Sequence, residues 1–551
     1  MPPVDPELAL SLDEVSQILL KRPGAVGIKG IKRLSNLYGF ETFTDIIDPV
    51  NKASAIQSPG PLGMNEKELS TIERLTIAGK IILIDIDFQE QKVSDVSLSL
   101  AIVTKLISGK DKGKLNFIDK ACEPNIEKLL LQNLNESTLD DFNRNLRLLS
   151  LLDKLSNSVS LNDQLNRETG SGNDELSHER KYDLFNYMHI LSFNLHRVYE
   201  YQVSHLDELD YKSPFLSDRN DISCFVREGL GGIGKVELNV GGRCGVFLKF
   251  WEDHRFVTQQ LKQRVPNDEI HNDNFLLHFK IKEVDNEYCI KNIDTRIVYK
   301  EKWFEEGRWL VDSGKNDNDI VKFSVTLVAE LLPTVWVPYD LLYKWNIDDI
   351  DEAEPDVKNN RLDALFDHFN KFHHKRKYRL NEKGDQKLEI SMMSPCRFVK
   401  LHKLSHRVEQ IQSIVDDLRT WCVISSFIRN VLSSCESEEE TRTNVKSELN
   451  VDDVKLVEFV SEKPIIVNNR RDDEFRLSFS PSMDDLDHML TTVEFKENNV
   501  YKKLQFSIIR GILDDVKPLT DNIDESTVKI KAWKVFRTEQ ILRSFQVIKN
   551  S

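Results

Sequence analysis

The apolar residues of this chain change their spacing several times between the period of a helix and the alternation of a β-strand. Short alternating segments such as Val236–Val240 and Phe275–Ile281 follow one another between positions 222 and 345, with polar turns between them. Leu404–Leu432 instead repeats apolar residues at steps of three and four. Strands and helices that come in separate blocks are typical of α+β proteins. We therefore predict an α+β fold with an antiparallel β-rich middle domain and a long amphipathic helix.

The N-terminal part of the chain combines both kinds of pattern. Ile28–Tyr38 carries a helical stripe, and a leucine-rich block at 125–155 predicts further helices. Lys80–Phe88 and Val93–Val103 alternate, which predicts a pair of antiparallel strands with a loop near Gln89–Lys92. These patterns predict a unit that is partly helical and partly β.

The length of 551 residues suggests three to four domains, at roughly 150 residues for each. The composition changes along the chain give approximate boundaries. In the first third of the chain we predict N-terminal helices at 1–50, a strand pair with leucine-rich helices at 65–155 and a flexible linker at 156–180. A helix with the β-rich middle domain follows at 181–402, and then the long amphipathic helix at 403–432. An acidic linker at 433–450 leads to a smaller α+β C-terminal unit at 451–551.

The charge of the chain limits the partners that it can bind. It has 75 Lys and Arg residues against 90 Asp and Glu residues, which gives a net charge of −15. Binding to nucleic-acid phosphates requires local positive potential. We therefore expect no direct sequence-specific binding to nucleic acid by the chain as a whole.

Cysteine usage and hydropathy indicate the compartment. The seven cysteines are odd in number, widely spaced and without a C-x-x-C pair, which favours reduced thiols in the cytosol or the nucleus. The N-terminus lacks the basic region of a secretory signal. Pro333 and Pro338 interrupt Phe323–Leu342, the longest nearly uncharged stretch, so we predict no membrane-spanning segment and no membrane partner.

Gly229–Lys235 fits both the G-x-G-x-x-G and the G-x-x-x-x-G-K patterns. In a nucleotide site, such glycines let backbone N–H groups approach phosphate, and a helix must follow them. Here Val236 stands where a P-loop has Ser or Thr, and the following residues alternate like a strand. We favour a glycine-rich turn region and keep a nucleotide-binding enzyme as the alternative, to be distinguished by whether a helix or a strand begins near Gly234.

Leu148–Leu152 matches the L-x-x-L-L pattern that can dock in an apolar groove. Leu146, Leu149 and Leu155 surround it, so that the helix is apolar over much of its circumference. A helix of this kind is more often part of a core, and we favour that interpretation.

Lys371–Arg379 is a local exception to the acidic charge, because five of its nine residues are Lys or Arg. A basic run with interleaved aromatic residues can be a nuclear-import signal or a nucleic-acid contact. The ordinary interpretation is a solvated helix end or loop, and the sequence leaves these alternatives open.

No set of residues has the spacing of a catalytic or metal site. His402 and His406 lie four residues apart without the Glu of an H-E-x-x-H helix, and neither His373–His374 nor Cys396 adds a ligand at a suitable spacing. Acidic pairs such as Asp484–Asp485 become catalytic only where the fold shifts their pKa values. We therefore predict no catalytic, cofactor-binding or metal-binding residue, and no cofactor.

Several segments resemble, in order, the subunit 1 family of the Mediator complex in its compact fungal form. The similarity is good in four N-terminal segments, Ile28–Phe43, Leu75–Phe88, Val93–Ala101 and Asp140–Leu155. It is looser in Asp183–Tyr187 and Leu418–Trp421, and weaker again in Val528–Val547. The resemblance rests on an ordered series of apolar patterns and not on a catalytic signature.

The resemblance implies a nuclear, non-enzymatic protein of the Mediator middle module. Such a protein is expected to contact other middle-module subunits and to relay signals from DNA-bound activators to RNA polymerase II. Animal members bind nuclear receptors through L-x-x-L-L boxes located after the folded part, whereas Leu148–Leu152 lies inside a leucine-rich helix. We therefore do not transfer receptor binding to this chain.

Overall fold

The computed structural model describes part of the chain. The described residues are 6–47, 71–100, 114–156, 184–209, 219–252, 274–283, 303–310, 325–345, 347, 361–372, 375–379, 386–392, 397–405, 408–433, 473–481, 488–497 and 500–519. The chain divides into two compact units. The first unit comprises Met1–Tyr201, Lys235–Leu248 and Leu277–Glu330, and the second comprises Gln202–Gly234, Lys249–Leu276 and Leu331–Ser551.

The first unit begins with two helices followed by a four-stranded sheet. The elements are α1 (Pro6–Lys21), α2 (Ile28–Leu37), β1 (Glu41–Ile47), β2 (Ile72–Ala78), β3 (Ile82–Gln89) and β4 (Lys92–Leu100). The strands lie in the order β1-β2-β3-β4, and each pair is antiparallel. Glu90 and Gln91 join β3 to β4 with positive φ angles of 52° and 65°, the conformation of a two-residue hairpin turn. The predicted antiparallel strand pair with a loop near Gln89–Lys92 is thus confirmed.

Two leucine-rich helices pack with this sheet. They are α3 (Ile126–Leu134) and α4 (Asp140–Leu155). The Asn125 side chain caps α3 by accepting a hydrogen bond from the backbone N–H of Glu127. Asp153 of α4 is 5% exposed, and its carboxylate accepts hydrogen bonds from the backbone N–H groups of Lys80, Ile81 and Ile82 at 2.8–3.0 Å. This carboxylate therefore ties α4 to the start of β3.

The described part of the middle of the chain combines helices with several strands. It contains α5 (Leu184–Ser204), a short 3-10 helix (Leu206–Leu209), α6 (Arg219–Arg227), β5 (Lys235–Leu238), β6 (Val246–Glu252), β7 (Asn274–Glu283), β8 (Phe304–Glu305), β9 (Arg308–Trp309) and β10 (Val325–Pro338). Strands β8 and β9 form a small antiparallel pair. A five-stranded sheet has the order β13-β10-β7-β6-β5, where β13 is Phe398–Ser405. The predicted β-rich middle region is therefore confirmed as strands.

The C-terminal half of the second unit contains three more helices and a six-stranded sheet. Its elements are α7 (Tyr339–Lys344), α8 (Arg361–Phe372), β11 (Lys375–Arg379), β12 (Gln386–Met392), a 3-10 turn (Val408–Gln410), α9 (Ile411–Ser433), β14 (Asp473–Pro481), β15 (His488–Glu497), β16 (Val500–Ile509) and β17 (Ile512–Pro518). The sheet order is β11-β12-β14-β15-β16-β17, and β12 is parallel to β14 while the other neighbours are antiparallel. The predicted α+β class with antiparallel sheets is confirmed.

The structure differs from the sequence predictions at two elements. The long helix begins at Ile411, and Leu404, which fits its apolar spacing, belongs to β13. Its side chains from Ile411 to Ile428 are mostly buried, with only Ser413 exposed in that range, so this part of the helix belongs to the core. Residues 41–47, inside the segment predicted as N-terminal helices, form β1, in keeping with their β-branched Thr and Ile residues.

Several predictions fall on residues that the structure does not describe. They are nearly all of the linker at 156–180, the acidic linker after Ser433 and the pair Asp484–Asp485. The predicted domain boundaries stay predictions. None of the described helices has both the length and the apolar character that crossing a bilayer requires.

Candidate docking surface

Exposed apolar side chains concentrate near the N-terminus of the chain. Among the described residues, eight large apolar side chains are exposed, and five of them lie between positions 15 and 83. These five are Val15, Ile18, Phe43, Ile46 and Leu83. Scattered exposed apolar residues are ordinary, whereas exposed apolar side chains that lie on one element beside an open sheet edge can form a binding surface.

Strand β1 carries two of these five side chains, Phe43 and Ile46. It is an outer strand of its sheet, so one of its edges faces no other described strand. Phe43 is 56% exposed and Ile46 is 73% exposed, although they point to opposite faces of the sheet. An exposed outer strand directs unpaired N–H and C=O groups outward and can pair with another chain. The backbone edge and the apolar side chains are therefore available together.

The two faces of the four-stranded sheet differ in chemistry. One face carries the buried residues Leu75, Ile77, Ile84, Ile86 and Val96, which belong to the core of the first unit. The strand register sets the other face, which we call the acidic sheet face. It carries five carboxylates, from Glu41, Asp45, Asp85, Asp87 and Asp95, and two cationic side chains, from Arg74 and Lys92. Its formal charge is therefore −3.

Arg74 is held firmly on the acidic sheet face. Its Nε and Nη2 atoms donate to the two carboxylate oxygens of Asp87 at 2.6 and 2.9 Å, and Asp85 lies 3.9 Å from Nη1. Thr76 donates to Asp85 at 2.6 Å. The hydrogen bond with Asp87, with further attraction from Asp85 and Asp95, raises the pKa of Arg74. Because Arg74 is engaged in this way, the exposed carboxylates of Glu41, Asp45 and Asp95 stay available to a partner on this face.

The glycine-rich segment Gly229–Lys235 does not form a nucleotide site. It follows α6 and leads directly into β5, which begins at Lys235, so the helix that would point its N-terminus at a phosphate is replaced by a strand. Gly234 has a φ of 104°, and a Cβ atom there would lie 2.5 Å from the backbone oxygen of Lys249. The glycine is thus needed for close backbone approach, and the alternative of a nucleotide-binding enzyme built on this loop is wrong.

The L-x-x-L-L match at Leu148–Leu152 lies within α4. Of the three motif leucines, Leu148 and Leu152 are 5% and 0% exposed, and Leu151 is half-buried. A docking box must offer these leucines to a partner. The interpretation of this motif as core is therefore confirmed.

The basic run Lys371–Arg379 spans the end of α8 and strand β11, with residues 373–374 outside the described part. The expected solvated helix end or loop is therefore wrong for Lys375–Arg379, which pairs with β12. Lys375 and Lys377 lie 3.9 and 3.4 Å from the Glu389 carboxylate. Glu389 therefore offsets part of the local positive charge. The backbone of Lys375–Arg379 is already paired with β12, so it is less accessible to an import receptor.

The remaining candidates form no reactive site among the residues that the structure describes. His402 lies in β13, while His373, His374, Cys396 and His406 fall outside the described residues. Within the described part, no group of three His, Cys, Asp or Glu side chains is arranged to hold a metal ion. Burial raises the pKa of the Cys244 thiol to about 12, which makes it a poor nucleophile.

A buried charged cluster lies elsewhere in the first unit. The Glu330 carboxylate contacts Lys280 and lies 3.7 Å from Nδ1 of His278 and 3.9 Å from Arg243. Nε2 of His278 lies 3.0 Å from the Cys244 carbonyl oxygen, to which it donates as the neutral tautomer. Burial lowers the pKa of His278 to about 4. Burial alone would raise the pKa of Glu330, but the neighbouring Lys280 cation lowers it. The cluster joins β7 to β10 and has a structural role.

The second unit has a comparable buried group on α9. Arg419 is 1% exposed and donates to the backbone oxygens of Gly232 and Phe250 at 2.7 and 3.0 Å, and to Asp416 at 2.8 Å. The next acidic residue, Asp417, accepts hydrogen bonds from Trp345 at 2.7 Å and Lys344 at 2.8 Å. These contacts join the central helix to loops and strands within the same unit.

Sequence reasoning missed both the exposed strand β1 and these buried polar residues. The segment Thr42–Ile47 has the β-branched residues of a strand, which was the available signal for β1. No local signal existed for Arg419, because its backbone partners lie 169 and 187 positions away in the sequence.

Comparison with known families places the exposed region inside a recognised domain. Residues 13–166 match the family described as Med1, Mediator of RNA polymerase II transcription subunit 1. This range includes α2, the four-stranded sheet, α3 and α4, and all five exposed apolar residues of the N-terminal region.

Three fungal relatives share part of this sequence, and each is described as Mediator of RNA polymerase II transcription subunit 1. The Eremothecium gossypii protein is 27% identical over 219 residues, which cover 38% of this chain and 37% of the relative. The Saccharomyces cerevisiae protein is 28% identical over 188 residues, covering 32% and 28%. The Kluyveromyces lactis protein is 28% identical over 148 residues, covering 26% and 28%. The matched segments thus span between about a quarter and two fifths of each protein.

The family match, the fungal relatives and the ordered helices and strands of the first unit agree with one another. Over residues 13–166 the chain is therefore similar to the Med1 family, Mediator of RNA polymerase II transcription subunit 1, and it is distantly similar to the three fungal proteins.

Proposed function

We propose that this protein is a non-enzymatic subunit of the Mediator coactivator complex. It binds other subunits of the middle module and takes part in the relay of regulatory signals from DNA-bound activators to RNA polymerase II. The single observation that supports the proposal most strongly is the match of residues 13–166 to the Med1 family. The concentration of exposed apolar side chains in the same range supports a binding role for this region.

A binding role also agrees with the electrostatics of the described residues. The groups with clearly shifted pKa values, such as Glu330, His278 and Asp416, make buried structural contacts. Among the described residues they do not converge on a common reaction centre. The net charge of −15 favours contacts with proteins over contacts with nucleic acid. The protein acts in the nucleus, where its reduced cysteines are stable.

Affinity purification from nuclear extract tests the proposal. The full chain carries a tag at one end, and the recovered proteins are identified and quantified by mass spectrometry. We expect middle-module Mediator subunits at amounts comparable to that of the tagged chain. An unrelated acidic nuclear protein with the same tag serves as the matched control. Recovery of the tagged chain without Mediator subunits would contradict the proposal.

A further inference from the structure

We propose that β1 pairs with an extended segment of a partner protein in which basic and apolar residues alternate. This inference rests on the proposed function, because the partner is expected to be another Mediator subunit. The partner strand would extend the sheet beyond β1. Its backbone would pair with the outer edge of Glu41–Ile47, and its alternate side chains would meet the two faces of the sheet.

The backbone geometry supports strand addition. Strand β1 has seven residues and pairs with β2 in unbroken antiparallel register, from Glu41 opposite Ala78 to Ile47 opposite Ile72. Such regular pairing on one side holds the N–H and C=O groups of the other side in position for a new strand. Five of its seven residues are exposed, including the central Phe43, Thr44 and Asp45, so no described element covers the strand there.

The side chains of β1 define the chemistry of the partner. Glu41 and Asp45 point to the acidic sheet face, with Phe43 between them. Basic residues of an added strand would lie beside these carboxylates, and their aliphatic stems or cationic groups could pack on the Phe43 ring. Ile46 points to the opposite face and would lie beside apolar residues of the partner. Alternation of basic and apolar residues satisfies both faces at once.

Charge argues against two other occupants. A second copy of the chain would place Glu41 and Asp45 next to the same carboxylates of its partner, and like charges on neighbouring strands repel. Residues 48–70 of the same chain contain three acidic and two basic residues, so they offer no net positive charge to the acidic sheet face. Residues 101–113 contain three Lys and one Asp, and the experiment must distinguish this segment from a partner.

Photo-cross-linking in the assembled complex identifies the occupant. The tagged full chain carries p-benzoyl-phenylalanine in place of Phe43, and the cross-linked peptides are sequenced by mass spectrometry. We expect a cross-link to a segment of another subunit with alternating basic and apolar residues. Hydrogen exchange of the β1 amides should be slower in the complex than in the isolated chain. Cross-links confined to residues 101–113, or unchanged exchange of β1 in an intact complex, would overturn the proposal.

A charge reversal measures the contribution of the acidic sheet face. Asp45→Lys is compared with Glu136→Lys, which reverses another exposed acidic residue of the first unit outside this sheet. The probe is a synthetic peptide with the cross-linked sequence. We expect Asp45→Lys to weaken its binding about tenfold, with a smaller dependence on salt than the wild-type protein shows. Glu136→Lys should bind like the wild type, and equal binding by all three proteins would refute the proposal.

The two levels of inference fail in different ways. If the wild-type chain brings down no Mediator subunits, the proposed function is wrong. If it brings them down while β1 is neither cross-linked to a partner nor protected from exchange, only the docking inference is wrong. Unchanged unfolding midpoints for both variants would show that a loss of binding does not come from misfolding.

Discussion

In strand β1 and helix α9, the exposure of the side chains is the reverse of what the two sequences suggest. Apolar spacing at Leu404–Leu432 predicts an amphipathic helix with a polar solvent face, yet Asp417, Arg419 and Thr420 of α9 are buried. Strand β1 is short and mixed in sequence, yet Phe43 and Ile46 are exposed. In this chain, polar residues can therefore belong to the core, and apolar residues can lie on an exposed sheet edge. Measurements of stability and binding can test this comparison.

The largest effect is expected from removing the buried guanidinium of α9. Arg419→Met would leave the Gly232 and Phe250 carbonyl oxygens and the Asp416 carboxylate without this donor. We expect a loss of about 3–5 kcal/mol in the free energy of unfolding of the second unit, because breaking a buried pair leaves an uncompensated charge. Chemical denaturation followed by tryptophan fluorescence measures it. Lys377→Met, at a 67% exposed side chain, is the control and should change the stability little. A small effect at Arg419 would mean that α9 has a solvent face after all.

A second buried polar contact tests the same idea in the first unit. Asp153→Ala would leave the backbone N–H groups of Lys80, Ile81 and Ile82 without their acceptor. We expect a loss of about 2–4 kcal/mol, since unsatisfied buried donors keep their desolvation cost. Asp153→Asn retains one side-chain oxygen and should lose less. Hydrogen exchange should accelerate first at the start of β3. Equal stability of the Asn and Ala variants would contradict this role for the carboxylate.

These two variants show where prediction from sequence ends. Local patterns identified the β3–β4 hairpin and the core leucines of α4, because turn conformation and helical spacing depend on neighbouring residues. The partners of Arg419 are distant in sequence, so no local pattern marks it as buried. The exposure of β1 depends on its place at the edge of the sheet, which a sequence pattern does not specify.

The pH dependence of stability tests the buried histidine in the first unit. His278 has a lowered pKa of about 4 because it is buried, whereas an unfolded His has a pKa of about 6.5. Between pH 6.5 and pH 4 the unfolded chain therefore binds a proton that the folded chain does not. The free energy of unfolding consequently decreases as the pH is lowered. The expected loss is about 2 kcal/mol between neutral pH and pH 5. His278→Gln keeps a donor for the Cys244 carbonyl and should remove this part of the dependence. An identical pH profile in the variant would assign the effect to other groups.

The smallest effect on stability is expected at the exposed edge. Phe43→Ser removes a large apolar side chain that is 56% exposed, whereas Phe142→Ser removes one that is fully buried. We expect the first variant to change the free energy of unfolding by about 0.5 kcal/mol or less, because it leaves no cavity in the core. The second should cost at least about 3–5 kcal/mol, through lost packing and a buried hydroxyl. Thermal denaturation of the matched pair measures the difference. If Phe43→Ser retains wild-type stability but loses Mediator subunits in affinity purification, the exposure of Phe43 serves binding. A large loss of stability at Phe43 would instead show that this edge is covered within the chain itself.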